Sequence, residues 1–349
     1  MIKSKNNPVF RREDFVLCDV PVPKGYPQSQ THCGIILYKG KWYMTTSPFP
    51  TIKHSKFVNY LCLALHKLSG GLLINPKRAD RFENPCLYEG DADQEYPTSF
   101  RLVGENALMD TPEQPVGGYA YNSDPDLFIE DDWAYILNRT AYCRRNANNE
   151  AVHSMTLHLI KGLLSADCLS DISITEVGGW DSSTVVSHCL TKYEKDYHLL
   201  YLDTISALDG KTFTGLFSKS ADTIEGLNDA EEKQIDVSSG NLLPWHLSLF
   251  QYNGILYTII ACVEKGTPKG KVWQFLGEFS KDLSSLVVYD APLTDYCSYR
   301  GSAVVTPKGM FVLYTPTWNE KVRGSRSVDG KDVLLATAPF EEVLRKVKQ

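Results

Sequence analysis

The sequence predicts an all-β protein, a single five-bladed β-propeller of four-stranded antiparallel blades. Three observations carry the prediction. Paired apolar runs joined by short turns recur along the chain, a polar residue precedes four of the five pairs at a fixed distance, and helical spacing is scarce. The composition agrees: of 349 residues, 43% are hydrophobic and 11% aromatic, and 24 Gly and 18 Pro fall between short apolar runs. Tyr, Trp and β-branched runs punctuated by Gly and Pro favour strands and turns.

The first pair is Ile35-Ile36-Leu37-Tyr38-Lys39-Gly40-Lys41-Trp42-Tyr43-Met44, and the second spans Leu127 to Leu137 around Glu130-Asp131-Asp132. Two more lie at Leu247 to Tyr257, turning at Asn253-Gly254, and at Ala303 to Tyr314, turning at Pro307-Lys308-Gly309. Each is an expected β-hairpin. A fifth is expected from Thr184–His188 and Tyr197–Tyr201, flanking a longer turn over Cys189–Asp196. Eleven residues separate His32 from Tyr43, Asp124 from Tyr135, His246 from Tyr257 and Arg300 from Phe311. In the third unit the longer turn breaks this register, and Trp180-Asp181-Ser182-Ser183 is expected at the equivalent place.

Outer strands are expected at Tyr60–Leu65, Ser154–Ile160 and Lys271–Leu276. With them each unit becomes a small sheet of about four strands, and sheets repeating every 55 to 90 residues or so suit radial packing about an axis. The single domain, residues 1–349, divides into blades at roughly 30–110, 118–165, 172–235, 241–290 and 295–340. A pair of packed β-sandwich sheets would bury the same strands but not explain the repeated offset. Phe340–Val347 alone has helical spacing, and the polar stretch Asp222–Asp236 is expected to be an exposed loop.

The formal net charge of −6, from 36 Lys+Arg against 42 Asp+Glu, gives no basic field for a phosphate backbone, so nucleic acid is not an expected partner. No stretch reaches the roughly 20 apolar residues of a membrane span, and Met1–Pro8 lacks the apolar core of a secretion signal. Nine cysteines without CxxC spacing argue against a disulfide framework and a zinc knuckle. Cys33, Cys62, Cys189 and Cys262 lie in or beside apolar runs, as small core residues do. A cytoplasmic or virion-associated protein is therefore expected rather than a secreted one. Nucleotide-binding Gly-rich loops and the Gly-x-Ser-x-Gly elbow are absent, which removes nucleotide cofactors and elbow-type serine hydrolases.

In a propeller, residues at one shared offset converge on one mouth of the axial channel. His32, Asp124, Asp181, His246 and Arg300 would then form a polar ring, where ionisable groups acquire shifted pKa values. The same residues could also merely cap strands and pair across the axis. Ser123-Asp124-Pro125-Asp126, followed by an apolar strand and the acidic turn Glu130-Asp131-Asp132, resembles the second-blade motif of family 43 glycoside hydrolases, five-bladed propellers. Trp245-His246 and Tyr299-Arg300 resemble the starts of that group's fourth and fifth blades.

The resemblance implies that Asp124 tunes the catalytic acid and helps hold the sugar. That family uses three carboxylates: an Asp base in the first blade, the modulating Asp in the second, and a Glu acid in the third. Here His32 stands at the first position, within Thr31-His32-Cys33-Gly34. A neutral His can act as a base near pH 7. At the third position stand Asp181 or Ser182, with Glu176 a few residues earlier. Asp181 could donate a proton if burial raised its pKa.

The catalytic candidates are thus His32, Asp124 and Asp181. Trp180, Trp245, His246, Tyr299 and Arg300 are the substrate-binding candidates, with Arg300 favouring an acidic sugar because its planar fork suits a carboxylate. Trp42 and Trp133 sit within strands and are expected in the core. Glu83-Asn84-Pro85 reads as a turn at the start of an outer strand. No cofactor is expected beyond a calcium ion in the channel; His32, His246 and Asp124 lack the short spacing of dedicated metal sites. The expected function is a carbohydrate-active propeller cleaving a glycosidic linkage in its funnel, or, with two of three carboxylates lost, a glycan-binding propeller without catalysis. A scaffold for protein partners is a third possibility.

Overall fold

Alternating apolar residues broken by Lys39-Gly40, Asp131-Asp132 and Asn253-Gly254 produce tight hairpins, and both residues of each of these turns have positive φ, between 47° and 78°. That places them in the mirror-image turn whose twist matches the strands it joins. The computed structural model describes residues 7–49, 56–69, 72, 82–116, 118–165, 168–182, 184–205, 212–265, 271–318 and 320–349. It is an all-β architecture of antiparallel four-stranded runs.

The first run is β2 (Thr31–Tyr38), β3 (Lys41–Ser47), β4 (Cys86–Gly90) and β5 (Phe100–Leu102), and the second is β6 (Tyr119–Glu130), β7 (Trp133–Arg145), β8 (Ala151–Leu164) and β9 (Leu169–Trp180). The third is β10 (Val185–Tyr193), β11 (Asp196–Ile205), β12 (Thr212–Ala221) and β13 (Lys233–Ser238). The fourth is β14 (Leu242–Tyr252), β15 (Ile255–Glu264), β16 (Trp273–Phe279) and β17 (Ser285–Pro292). β13 and β17 pair in parallel through Asp236–Ser238 and Ser285–Val287, merging the third and fourth runs into one eight-stranded sheet. The pairing satisfies two outer edges that would otherwise be exposed.

The last sheet joins the two ends of the chain. β18 (Ser302–Val305), β19 (Met310–Pro316) and β20 (Val333–Pro339) take β1 (Val16–Leu17) as their fourth strand, with Val16 opposite Leu335 and Leu17 opposite Leu334.

The first strands of the five runs touch in the order β2, β6, β10, β14, β18 and back to β2. A cavity of about 320 Å³ lies among them, walled by residues such as Ile35, Leu127, Leu190, Leu249 and Ala303, one from each. Apolar clusters fill the gaps between successive runs: Leu127, Ile136 and Leu87 between first and second, Leu157, Leu190 and Tyr201 between second and third. Leu200, Leu247 and Phe275 join third to fourth, Phe250, Ile259 and Phe311 fourth to fifth, and Met44, Tyr88 and Tyr314 fifth to first. Helix α2 (Phe340–Val347) closes the fourth–fifth gap by burying Phe340, Val343 and Val347.

Three local expectations are corrected. Tyr60–Leu65 lies in helix α1 (Lys56–Leu68), not an outer strand; an apolar run of this length fits either period. Asp222–Asp236 contains a short 3-10 turn, Glu225–Asn228, and the first part of β13. The third hairpin turns at Glu194-Lys195, because β10 continues through Tyr193 and Thr191 pairs with His198. Counting back eleven residues from His198 gives Ser187, so the third unit obeys the register of the others. Trp42 is buried, whereas Trp133 is half-buried beneath the Lys161 ammonium, 4.8 Å from the ring. No helix among the described residues is long and apolar enough to cross a membrane.

Arg300, 1% exposed, sits between the first strands. Its Nε donates to the Leu247 carbonyl at 2.8 Å, Nη1 to the Pro125 carbonyl at 2.6 Å, and Nη2 to Asp126 Oδ1 at 2.6 Å. Its own carbonyl accepts from Cys33 N at 3.1 Å. Removing one partner of a buried pair leaves an uncompensated charge. Arg300→Met is expected to lower the unfolding free energy by about 3–5 kcal/mol, read by equilibrium denaturation; a loss within 1 kcal/mol or so would show that the guanidinium does not hold the strands.

Candidate functional site

The first strands do not run straight into the axis. In β2 the register slips between Thr31 and Gly34, in β6 between Ser123 and Asp126, in β10 between Val186 and Cys189, and in β14 between Pro244 and His246. At the first three slips one residue adopts a left-handed conformation: His32 (φ 57°), Asp124 (φ 56°) and Ser187 (φ 59°). Such bulges re-aim a side chain, and His, Asp and Ser tolerate this backbone better than the β-branched residues around them. Gly34 completes the first bulge, since a Cβ there would lie 3.0 Å from Thr45 Cγ2 and 3.4 Å from the Leu127 nitrogen of the neighbouring strand.

These bulges bring His32, Asp124 and His246 together, all 1–3% exposed. His32 Nδ1 lies 3.0 Å from Asp124 Oδ1, and His246 Nδ1 lies 3.8 Å from the same oxygen. The opposite edges of the rings are held. His32 Nε2 is 3.3 Å from Glu83 Oε1, and His246 Nε2 is 3.0 Å from the Tyr299 hydroxyl. Asp124 Oδ2 accepts from Ser187 N at 3.3 Å and lies 3.7 Å from Arg139 Nε. Arg139 is itself fixed by Ser123 Oγ at 2.9 Å and the Val185 carbonyl at 3.0 Å.

The charges follow from this packing. Burial opposes ionisation of Asp124, but His32, His246 and Arg139 outweigh it and hold the carboxyl well below its usual range. Burial likewise depresses the His32 imidazolium, and here Asp124 and Glu83 prevail, leaving its pKa raised. His246 goes the other way: burial dominates the attraction of Asp124, and His32, Arg300 and Arg139 add to it. One carboxylate thus stands between a ring that favours its proton and one that refuses it.

His246 Nδ1 makes no hydrogen bond, while His32 Nδ1 faces the Asp124 carboxylate at 3.0 Å. The two ring nitrogens and the carboxylate oxygen all lie within 4.8 Å of one another. This donor set fits a divalent cation, and two imidazoles with a single carboxylate suit a transition metal such as Zn²⁺ better than the all-oxygen shell of Ca²⁺. Glu83 and Tyr299, on the far edges of the rings, would hold the tautomers that turn both Nδ1 lone pairs inward.

The other candidates divide. Trp245 is half-buried against the His246 ring, 4.9 Å between centroids, and meets Tyr299 edge-on at 5.1 Å. Tyr299 stacks on Trp318 at 4.3 Å and 12°. Trp180 lies on the third side, 5.2 Å from the His188 ring.

Asp181 is exposed beyond the end of β9, six residues before the bulge that aligns with His32 and Asp124. Ser187 and His188 occupy the third-unit position instead, because β10 runs on through Tyr193 where the long-turn reading ends it at His188. Glu176 is exposed on the outer strand β9. Arg300 does not offer its fork to a sugar, since Leu247, Pro125, Asp126 and Cys189 take its N–H groups. Two contributors were not legible as such. Glu83 is 3% exposed beside His32, and its neighbour Asn84 accepts from Asn122 at 2.9 Å and donates to Tyr26 at 2.8 Å, so the apparent turn is an anchored segment. Glu83 directly before Asn-Pro was the available signal. Trp318 had none.

No protein-family model matches the sequence, and no curated protein matches it. Similarity lies in structure. An N-acetylgalactosamine deacetylase from F. plautii, crystallised with blood group B trisaccharide, superposes with a TM-score of 0.61 at 14% identity, covering 95% of this chain and 97% of that one. A thermostable family-43 glycoside hydrolase gives 0.51 at 10% identity over 91% and 92%. An endo-arabinase from Bacteroides thetaiotaomicron gives 0.52 at 9% identity over 93% and 97%. The fold therefore resembles that of the family 43 glycoside hydrolases.

His188 offers a test of the buried electrostatics. Its ring is 0% exposed, neither nitrogen has a hydrogen-bond partner, and burial, then Arg139, depress its pKa to about 3. The folded state thus refuses a proton that the unfolded chain accepts below about pH 6.5. Stability from this group is complete above that pH and lost on acidification towards pH 3, by about 1.4 kcal/mol per unit. His188→Gln is expected to flatten the acid limb of a stability–pH curve between pH 6 and 4 by one proton's slope; parallel wild-type and variant curves would refute it.

Proposed function

We propose that this chain is a five-bladed β-propeller hydrolase of carbohydrates whose axial site, with a divalent cation on His32, Asp124 and His246, removes an acyl substituent from a sugar. The observation that carries the reading is the convergence of two Nδ1 atoms on one buried carboxylate oxygen. The closed order of first strands, with an apolar cluster in every gap, supports the five blades, and the likeness to carbohydrate-active enzymes supports the substrate class. A cation on this donor set would suit hydrolysis of an acyl group, and the deacetylase among the structural neighbours is consistent with it.

A cation held there supplies Lewis acidity, polarising a carbonyl oxygen and making water acidic at neutral pH. The rest is done by the chain. Asp124 stays ionised and is aimed by Ser187 N and Arg139. Glu83 and Tyr299 hold the two imidazoles, and Glu83 is the carboxylate nearest the cluster that is not among its three residues. Trp245 offers a partly exposed aromatic face beside His246 for a sugar ring.

Glycosidic cleavage is the second reading, favoured by the fold likeness to family 43. It needs two carboxylates flanking a bond, about 5–9.5 Å apart. Asp124 and Glu83 are the two carboxylates at the cluster, but the His32 ring stands between them, in contact with one on each edge. That arrangement leaves the space to an imidazole rather than to a sugar.

The two readings separate by product. The full chain, stripped with a chelator and reloaded with Zn²⁺, Mn²⁺ or Co²⁺, is expected to release acetate from N-acetylgalactosamine glycans or acetylated xylan without creating new reducing ends. Asp124→Asn and His246→Ala are each expected to reduce that rate by at least about 10³-fold, the scale of lost electrostatic stabilisation in an active site. New reducing ends from aryl xylosides or arabinosides, insensitive to chelation, would sink the acyl reading in favour of the glycosidase. Glycan binding without either product would leave a binding propeller.

A further inference from the structure

The first strands carry the cluster at their beginnings. At their other ends the turns Lys39-Gly40, Tyr252-Asn253 and Thr306–Lys308, with the segment Ala92–Tyr96, surround a second cleft of about 800 Å³. His32 and Leu37, which lines this cleft, are five residues apart on β2, or roughly 16 Å at the rise of a strand. The cleft is therefore a separate site on the opposite face, and the cluster uses none of its residues.

Its make-up identifies a class of ligand. The floor is apolar: Leu37, Val304 and Val305 are only partly buried, and Trp42 forms one edge with its Nε1 committed to the Glu95 carbonyl at 3.0 Å. Tyr96, half-buried, meets the Trp42 ring edge-on at 6.5 Å and adds a second aromatic surface. The lysines of the rim are paired within the protein, and exposed Asp93 adds one carboxylate. Lys308 Nζ lies 2.8 Å from Glu95 Oε1, and Lys39 Nζ lies 2.7 Å from Asp132 Oδ1. Exposed Asn253, at the hairpin tip, adds an uncharged donor and acceptor.

Apolar and aromatic walls with a few polar groups at the rim are what a small-molecule site requires, and about 300–1,000 Å³ is the usual size. Paired lysines beside the Asp93 carboxylate offer an anionic ligand no partner. A neutral oligosaccharide, with CH faces for the aromatic walls and hydroxyls for the rim, matches both features.

We propose that this cleft is a second glycan-binding site for a neutral oligosaccharide, remote from the axial cluster; the class of ligand rests on the carbohydrate reading above. It would hold the protein on a polymer while the axial mouth works on a substituent elsewhere on it.

The test is calorimetric titration of the full chain, with parallel ligand-observed NMR, using xylotetraose, arabinotetraose and blood group B trisaccharide. A sulfated disaccharide and an apolar peptide serve as comparisons. At least one neutral sugar is expected to bind the His246→Ala variant as it binds wild type, and to bind Tyr96→Ala at least tenfold more weakly. Ala92→Trp, which fills the cleft from an exposed position without removing a packed side chain, is expected to abolish the same binding while leaving hydrolysis of a monosaccharide substrate unchanged. A neutral sugar that binds wild type, Tyr96→Ala and Ala92→Trp equally overturns the cleft alone, as does preference for the sulfated sugar or the peptide. Absence of any glycan binding or turnover in wild type overturns the carbohydrate reading together with it.

Discussion

The hydrogen bonds of Arg300 are the constraint on which the rest of the structure depends. A guanidinium cannot shed its proton, so burying it demands acceptors for its N–H groups in a fixed fork. Those acceptors come from β6, β10 and β14, and the Arg300 carbonyl accepts a fifth bond from β2. One residue thus ties together strands whose starts are spread over more than two hundred positions of sequence. Its partners are also the chain neighbours of the cluster: Cys33 follows His32, Asp126 lies two beyond Asp124, Leu247 follows His246, and Tyr299 precedes Arg300 itself. The distances among the two imidazoles and Asp124 are therefore set from below by a bond network that no substrate has to touch.

The bulges convert that rigidity into a site. A regular strand would send His32 and Asp124 alternately into and out of the sheet, as their neighbours go. In β2, β6 and β10 a left-handed residue breaks the alternation at the mouth and turns the side chain towards the axis. Each such residue costs about 1–3 kcal/mol of backbone strain. The surrounding hairpins and inter-sheet clusters over-determine the conformation, so it is kept at three of five positions. His32 and Asp124 of the cluster carry this strain, as does neighbouring Ser187, whereas His246 reaches the same oxygen without a left-handed backbone.

Most of the architecture was written in local pattern: hairpin turns, aromatic second strands and the eleven-residue register. The third unit escaped because Glu194-Lys195 carries none of the Gly, Asn or Asp that marks a tight turn, so the strand end was placed at Cys189–Asp196 instead. That one misplacement moved the expected site residue to Asp181, although Ser187 and His198 keep the common spacing. Glu83 was hidden for a different reason. Its burial depends on Asn122 and Asn84 joining across runs, and Asn-Pro alone reads as a surface turn. The identity of Arg300 was legible, but whether a guanidinium faces the mouth or the strands below depends on acceptors contributed by distant parts of the chain.

The same accounting of acceptors bears on what the axial site selects. An acidic sugar needs a cation with donors to spare, and Arg300 was the natural candidate for one. Among the described residues, the other buried cations close to the cluster are committed too. Arg139 is bonded to Ser123 and the Val185 carbonyl, and Lys331 to the Phe49 carbonyl and Asp329. Asp124 and Glu83 are themselves paired with the His32 ring, whose pKa they raise, and His188 is held neutral beside them. None of these buried arginine and lysine groups is left to pair with a carboxylated sugar. A neutral sugar needs no such partner, so the commitments that make the axis rigid are consistent with the uncharged substrate proposed.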